Sequence, residues 1–348
     1  LGLAYSLVLT DAAIAPAFPS NTARGGVLFP IVLSISKGAG SEPDSPEGRR
    51  LGGYLMFCAM AGLSVSSALW LTATSCNPIG VQIAQQHGMD IGFADWLIAS
   101  SVPTLSAILI LPLLVAEIFP PGIGATPEAP IAARRDLAGM GAMSRDERIT
   151  LVTFAVMVAG WVAGSALQIN GTAVAFMGFG VLLVSGVLTL EDISKQGDTL
   201  ATFPWLAVLF ALSAQLNELG FMGYVGERLA TRMGGLDWPV LYVALVALYV
   251  VLHYFFVSQT SQMLALLAVF LDVGIRGGVP AALMAPGLLF ASSYFSVITP
   301  QGGSQNIIFV ASGYLKQGEL YRMGLITTIT FMTIYLVIGT PWILFVSG

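Results

Sequence analysis

Apolar residues run through this chain in long blocks separated by short polar punctuation. Five blocks have the length of a simple membrane-crossing helix: roughly residues 96–119, 149–169, 172–190, 203–219 and 320–346. About 20 apolar residues suffice to cross a bilayer. Two further blocks, 51–89 and 277–315, contain no Asp, Glu, Lys or Arg and are each 39 residues long. That is too long for one crossing, yet neither holds a hydrophilic loop. Each is interrupted by a short polar patch, Thr74 to Gly80 in the first and Ile298 to Asn306 in the second. The pattern predicts a helix broken at membrane depth, its freed backbone groups lining a cavity rather than facing lipid.

A second irregular feature precedes each broken block. Residues 1–36 and roughly 239–272 are apolar arms around a polar tip, Pro19-Ser20-Asn21-Thr22 in the first and Val257-Ser258-Gln259-Thr260-Ser261-Gln262 in the second. Arms this short predict re-entrant hairpins that enter and leave the membrane on one side. The order hairpin, broken helix, closing span therefore occurs twice, the internal duplication of secondary transporters whose discontinuous helices mark the binding site. The predicted division is 1–120 for the first repeat, 121–148 for a cytoplasmic linker and 149–348 for the second repeat. Three spans and an amphipathic stretch, Asn217 to Gly234, precede the second hairpin; there Met222, Val225, Leu229 and Met233 lie opposite Glu227 and Arg228, as in an interfacial helix. Repeat symmetry leads us to expect roughly 90 residues or more upstream of Leu1.

Composition narrows the class. Only 9% of the residues are charged, against about 25% in ordinary soluble domains. A soluble globule is excluded, and a net charge of −5 leaves no basic stripe for a nucleic acid. Placement of the charges is more informative than their scarcity. If the first hairpin opens on one side, that side receives Lys37, Arg49, Arg50, Arg134, Arg135, Arg145, Arg148, Lys195, Lys316 and Arg322. The opposite side receives Arg228, Arg232 and Arg276. The excess makes the first side cytoplasmic and brings the two hairpins in from opposite faces. An all-α polytopic membrane protein with an inverted repeat is the predicted fold class. Trp96, Trp205, Trp238 and Trp342 stand at span ends as candidate interface anchors.

Candidate chemistry concentrates at the tips. A tip places hydroxyls and amides at the N-terminus of its returning helix, where unpaired N–H groups and the helix dipole favour an anion. Two such ends from opposite faces suit the two carboxylates of a dianion, which singles out Ser20, Asn21, Thr22, Ser258, Gln259 and Thr260. Breaks offer carbonyls and hydroxyls for a cation or for the far side of the substrate; the candidates are Thr74, Ser75 and Asn77, with Thr299, Gln301 and Asn306. Arg24 lies in the first returning arm, either as a fixed charge facing the substrate or as a brace paired with Asp11. His253, five residues before the second tip, is either a proton relay or a packed arm residue. Cys58 and Cys76 fit no metal spacing and no disulfide framework.

Three segments carry a resemblance. PSNTARGGVLFPIV (19–32), YFFVSQTSQMLAL (254–266) and ITPQGGSQNIIFVASGY (298–314) resemble the two hairpin tips and the second broken helix of the divalent anion/sodium symporter family. The SNTARGG form is most similar to its dicarboxylate and tricarboxylate exchangers. The resemblance implies an elevator-type carrier of C4–C6 di- or tricarboxylates such as malate, succinate, 2-oxoglutarate or citrate, usually a homodimer. It places the carrier in a bacterial inner membrane or a plastid inner envelope. It assigns substrate contacts to the two tips, and in symporting members Na⁺ between each tip and its helix break. In exchangers, basic residues near the tips replace those cations, and Arg24 fits that role. At the second tip the equivalent position falls near Gln262, which is neutral, and Gln259 stands where Asn is usual.

A Na⁺-coupled symporter is the alternative within this fold, and no cofactor beyond Na⁺ is implied. An intramembrane hydrolase or acyltransferase finds no GxSxG, HExxH or phosphate-binding loop here, so an enzyme is not expected. A passive anion channel is disfavoured by the paired hairpins, which imply alternating access.

Overall fold

The computed structural model describes residues 1–347 except 46–47, 168, 196–203, 205–206, 209–210, 213–214, 217 and 234. The described residues form helices and connecting turns, with no strand among them. The chain opens with helix α1 (Gly2–Ile14), a 3-10 turn (Ala15–Ala17) and α2 (Asn21–Gly38). Much later the same sequence of elements returns as Trp238–Leu252, the 3-10 turn His253–Phe255 and Gln259–Arg276. Both returning helices are 18 residues long. Each is preceded by an extended serine, Ser20 (φ −144°, ψ 116°) and Ser258 (φ −144°, ψ 125°). These are the two hairpins, matched element for element.

Each hairpin is followed by a broken helix. The first comprises α3 (Arg50–Ser66) and α4 (Cys76–Gln86); the second comprises Ala281–Tyr294, a 3-10 turn Phe295–Val297 and a short helix Ser304–Val310. The first break lies earlier than Thr74 to Gly80. Helix α3 stops at Ser66, and Asn77 to Gly80 already belong to α4. Pro78 lies in the first turn of α4. A proline in the first helical turn removes an N–H that has no intrahelical partner anyway, so it starts this helix instead of ending the previous one. The second break is likewise shorter than expected at its end, because Asn306 lies in the helix that restarts at Ser304.

The charge-free blocks make the centre of the molecule. All sixteen residues of α3 after Arg50 are buried, as are Leu283 to Tyr294 in its counterpart. A helix enclosed on every side has no polar face to maintain, which is why charge vanishes from its sequence. Among the described residues, four helices are long and apolar enough to cross a membrane: Phe93–Ile118, Arg145–Gly164, Trp238–Phe255 and Gln317–Ser347. The block expected over 172–190 is a shorter helix, Gly171–Val184, ended by a turn with Gly186 at φ 77°. The 121–148 segment is not irregular throughout: it carries an exposed helix, Glu128–Met140. An amphipathic helix does form, over Phe221–Met233. Eight of the seventeen residues of the 203–219 block, Trp205 among them, lie outside the described residues. Trp96 is no interface anchor, being 1% exposed, hydrogen-bonded to the Ala68 carbonyl at 2.9 Å and set edge-on to Phe290.

The two broken helices touch each other at their breaks. Ser296 Oγ donates to Ser64 Oγ at 2.8 Å, and Gln305 Nε2 donates to the same oxygen at 3.2 Å. Cys76 Sγ lies 3.6 Å from Met263 Sδ, joining the first break to the second hairpin. Elements more than 180 residues apart in the chain therefore share one centre.

Candidate functional site

Both tips open onto a single cavity of about 130 Å³. Its wall is made of Ser20, Asn21 and Thr22 from the first tip, Val257, Ser258, Gln259 and Thr260 from the second, Thr74 and Ser75 from the first break, and Ser304 and Gln305 from the second. No side chain in this wall carries a charge. Drug-sized ligands occupy roughly 300–1,000 Å³, so this volume suits a molecule of only a few heavy atoms.

Helix capping positions the tips. Ser20 Oγ accepts the Ala23 N–H at 3.2 Å, and Ser258 Oγ accepts the Ser261 N–H at 3.3 Å. Serine is favoured at such positions because its oxygen satisfies one of the four N–H groups that a helix start leaves unpaired. The remaining donors and the positive end of each helix dipole lie at the tips. Two helix starts thus face one uncharged polar cavity, and a helix start favours negative charge. Tip and break are also tied directly: the Ser75 N–H donates to the Pro19 carbonyl at 3.0 Å, and the hydroxyls of Thr22 and Ser304 are 2.6 Å apart.

All six expected tip residues thus converge, together with Thr74 and Ser75. The other break residues are placed differently. Asn77 is fully buried and donates from Nδ2 to the Ser67 and Trp70 carbonyls at 2.8 and 3.0 Å. Asn306 repeats this on the Ser296 and Thr299 carbonyls at 2.7 and 3.1 Å. Each asparagine satisfies carbonyls that the interrupted helix leaves without an N–H, and so holds its break in shape. The Oδ1 atoms of both, and Thr299 Oγ1, are buried without a protein partner. Gln301 stands away from the cavity, 3.5 Å from the Tyr321 hydroxyl.

Arg24 is the main departure. Its side chain is wholly buried, but it does not line the cavity. Nη1 donates to Asp11 Oδ1 and Oδ2 at 3.0 and 3.1 Å and to Ser66 Oγ at 3.0 Å; Nη2 donates to Asn21 Oδ1 and Ser67 Oγ at 2.7 Å each. Of the two readings, the brace on Asp11 is the one present. A guanidinium at membrane depth is stabilised by a carboxylate within reach, and Asp11 lies on the opposite arm of the hairpin. The pair is neutral and acts on the site through Asn21. With Oδ1 accepting from Arg24 and Ser67, the Asn21 amide keeps Nδ2 free of protein partners at the cavity wall.

Ser64, Ser66, Ser67, Ser296, Ser304 and Gln305 were not singled out from sequence. The serines of the SVSS run before the first break were a usable signal, since hydroxyls clustered just ahead of a helix interruption serve its open carbonyls. Among the described residues no group of three or more His, Cys, Asp or Glu is arranged to hold a metal ion.

Dicarboxylate transporter 2, chloroplastic, of Spinacia oleracea is 34% identical over 347 residues, covering 98% of this chain and 62% of that protein. Dicarboxylate transporter 2.1, chloroplastic, of Arabidopsis thaliana is 35% identical over the same span, again with 98% and 62% coverage. Inner membrane protein YbhI of Escherichia coli is 29% identical, covering 98% of this chain and 72% of that one. The chain therefore spans less than two thirds of the length of these chloroplast relatives. Among solved structures, the YdaH transporter of Alcanivorax borkumensis, described as having an unusual topology, superposes with a TM-score of 0.54 at 17% identity. The superposition covers 99% of this chain and 84% of that one, a likeness of fold alone. The profile described as the sodium:sulfate symporter transmembrane region matches residues 1–347. On that end-to-end match the chain belongs to the sodium:sulfate symporter family of membrane transporters.

Proposed function

We propose that this chain forms the transporting core of a secondary active carrier that exchanges C4–C6 dicarboxylates across a membrane by alternating access. The observation that carries the reading is the pair of serine-capped helix starts, Ser20 and Ser258, facing one uncharged cavity. Each start is suited to one carboxylate. The names of the two chloroplast relatives point to the same substrate class. In this reading residues 1–120 and 149–348 are the two inverted repeats, joined by 121–148, and the carrier works as a homodimer by an elevator movement. Exchange is favoured over symport by the SNTARGG form of the first tip, which resembles that of exchangers. Arg24 stands behind that tip, and His253 behind the second, bound to Gln262 at 2.6 Å. The basic group expected near position 262 thus comes from the opposite arm.

A Na⁺-coupled cycle is the second reading, favoured by the matched, unpartnered Oδ1 atoms of Asn77 and Asn306 beside the breaks. Reconstitution decides between them. Labelled malate entering liposomes only when dicarboxylate is loaded inside, with no response to Na⁺, is the expected result. Uptake into empty vesicles driven by a Na⁺ gradient sinks the exchange reading.

A further inference from the structure

Asn21 and Gln259 hold the same place in the two hairpins, each the first helical residue after a capping serine. Both line the cavity at the tips. Their amides are nevertheless turned opposite ways. Asn21 Oδ1 is engaged by Arg24 Nη2 and the Ser67 hydroxyl, both at 2.7 Å, so the group left free is the Nδ2 donor. Gln259 does the reverse. Its Nε2 donates to the Ser292 carbonyl at 2.7 Å and to the Ser293 carbonyl at 3.3 Å.

The partners of Gln259 dictate this orientation. Ser292 and Ser293 lie in the last turn of the helix Ala281–Tyr294, where carbonyls run short of N–H donors. Turning the amide over would set its oxygen against both carbonyl oxygens, which have no proton to give. Oε1 receives no hydrogen bond from the described residues and is not sealed from solvent, which leaves it to the cavity that Gln259 lines.

Other groups in the wall are less committed. Serine and threonine hydroxyls donate or accept according to their neighbours. Gln305 Nε2 lies 3.2 and 3.5 Å from the hydroxyls of Ser64 and Ser296, and a hydroxyl can meet either end of an amide. Among the described wall residues, Asn21 Nδ2 is therefore a fixed donor and Gln259 Oε1 a fixed acceptor. An ionised carboxylate only accepts, so the donor suits it and the acceptor repels it. Beside Oε1 the ligand must bring a proton of its own. Two helix starts disfavour an ammonium, because their dipoles favour negative charge. A neutral hydroxyl meets both conditions.

We propose that Gln259 is a specificity-determining residue whose Oε1 accepts the hydroxyl of a 2-hydroxydicarboxylate, so that the site selects malate over succinate. The inference rests on the dicarboxylate reading above and names the member of that class which the wall prefers.

Isothermal titration of the full-length protein in lipid nanodiscs with L-malate, succinate and 2-fluorosuccinate tests it. Fluorine replaces the hydroxyl without bringing a proton. At about pH 8, far above the carboxyl range near 4, neither carboxylate supplies one either. Malate is expected to bind severalfold, up to about tenfold, more tightly than the other two, as one neutral hydrogen bond provides. Gln259→Asn shortens the reach to Ser292 and frees the amide to turn its NH₂ inward, and Gln259→Met keeps the length without an acceptor. Both should erase the difference between malate and succinate. Succinate or fluorosuccinate binding as tightly as malate to the wild type overturns the proposal and leaves the dicarboxylate reading standing. A preference for malate that survives in both variants overturns it as well. Binding of none of the three overturns the dicarboxylate reading and this inference together. If neither variant folds, the wild-type comparison of malate with fluorosuccinate still decides, since the hydroxyl proton is what separates them.

Discussion

Replacing Asp11 by Asn should destabilise this protein severely, although Asp11 does not line the cavity at the tips. The carboxylate is 1% exposed and receives two hydrogen bonds from Arg24 Nη1, with Ser66 as its third partner. Asparagine keeps the shape but strands the guanidinium, which is 0% exposed. Breaking a buried pair in this way costs about 3–5 kcal/mol, mostly the desolvation of the orphaned charge. At 1.4 kcal/mol per factor of ten, the folding equilibrium falls between roughly a hundredfold and a few thousandfold. Removing both charges with Asp11→Asn and Arg24→Met should recover much of the loss, because an apolar replacement of a buried pair is often close to neutral. Recovery stays incomplete: Asn21 Oδ1 and the Ser67 hydroxyl lose a donor, about 1–3 kcal/mol for a buried polar group left unpaired. The assay is unfolding by SDS in mixed micelles, followed by tryptophan fluorescence. An Asp11→Asn protein as stable as the wild type, with Arg24→Met impaired only in transport, would refute the brace and return Arg24 to the substrate.

Other perturbations follow from particular contacts. Arg49 forms a two-pronged ion pair with Glu319, both bonds 2.8 Å, and also donates to the Tyr314 carbonyl. It links the start of α3 to the helix Gln317–Ile334. A double-mutant cycle with Arg49→Ala and Glu319→Gln should give a coupling on the order of 1 kcal/mol, between values for surface and buried pairs; additive losses would show the contact to be idle. Gly324 packs against the second break so closely that a Cβ would lie 2.1 Å from the Val297 carbonyl oxygen. Backbone cannot yield as a flexible side chain does, so Gly324→Ala should abolish monodisperse protein in fluorescence-detected size exclusion. A normal elution profile would show that this approach is looser than described.

How much of this was readable in advance depends on the range of the interaction concerned. Ser20 and Ser258 are local signals, since an oxygen three positions ahead of an N–H caps a helix wherever the chain goes. Thr74 and Ser75 were likewise found from their patch, though the patch runs on into the helix that restarts at Cys76. Arg24 was legible as an anomaly with two readings. Its partner lies on the same hairpin, but choosing Asp11 over the substrate required knowing which way the guanidinium points. Gln262 illustrates the opposite limit. Alone it is a neutral residue where a basic one was expected, and only the packing of two arms brings His253 to it.

The sequence by itself determined class, repeat and polarity of the site. A chain that must satisfy its backbone inside lipid has few solutions, and long apolar blocks with polar interruptions report them directly. Tertiary structure decided which interruptions share a cavity, how the breaks cross at Ser64, Ser296 and Gln305, and which partners Arg24 and His253 find. Those contacts join residues from the two halves or turn on side-chain direction, and no periodicity along the chain encodes either.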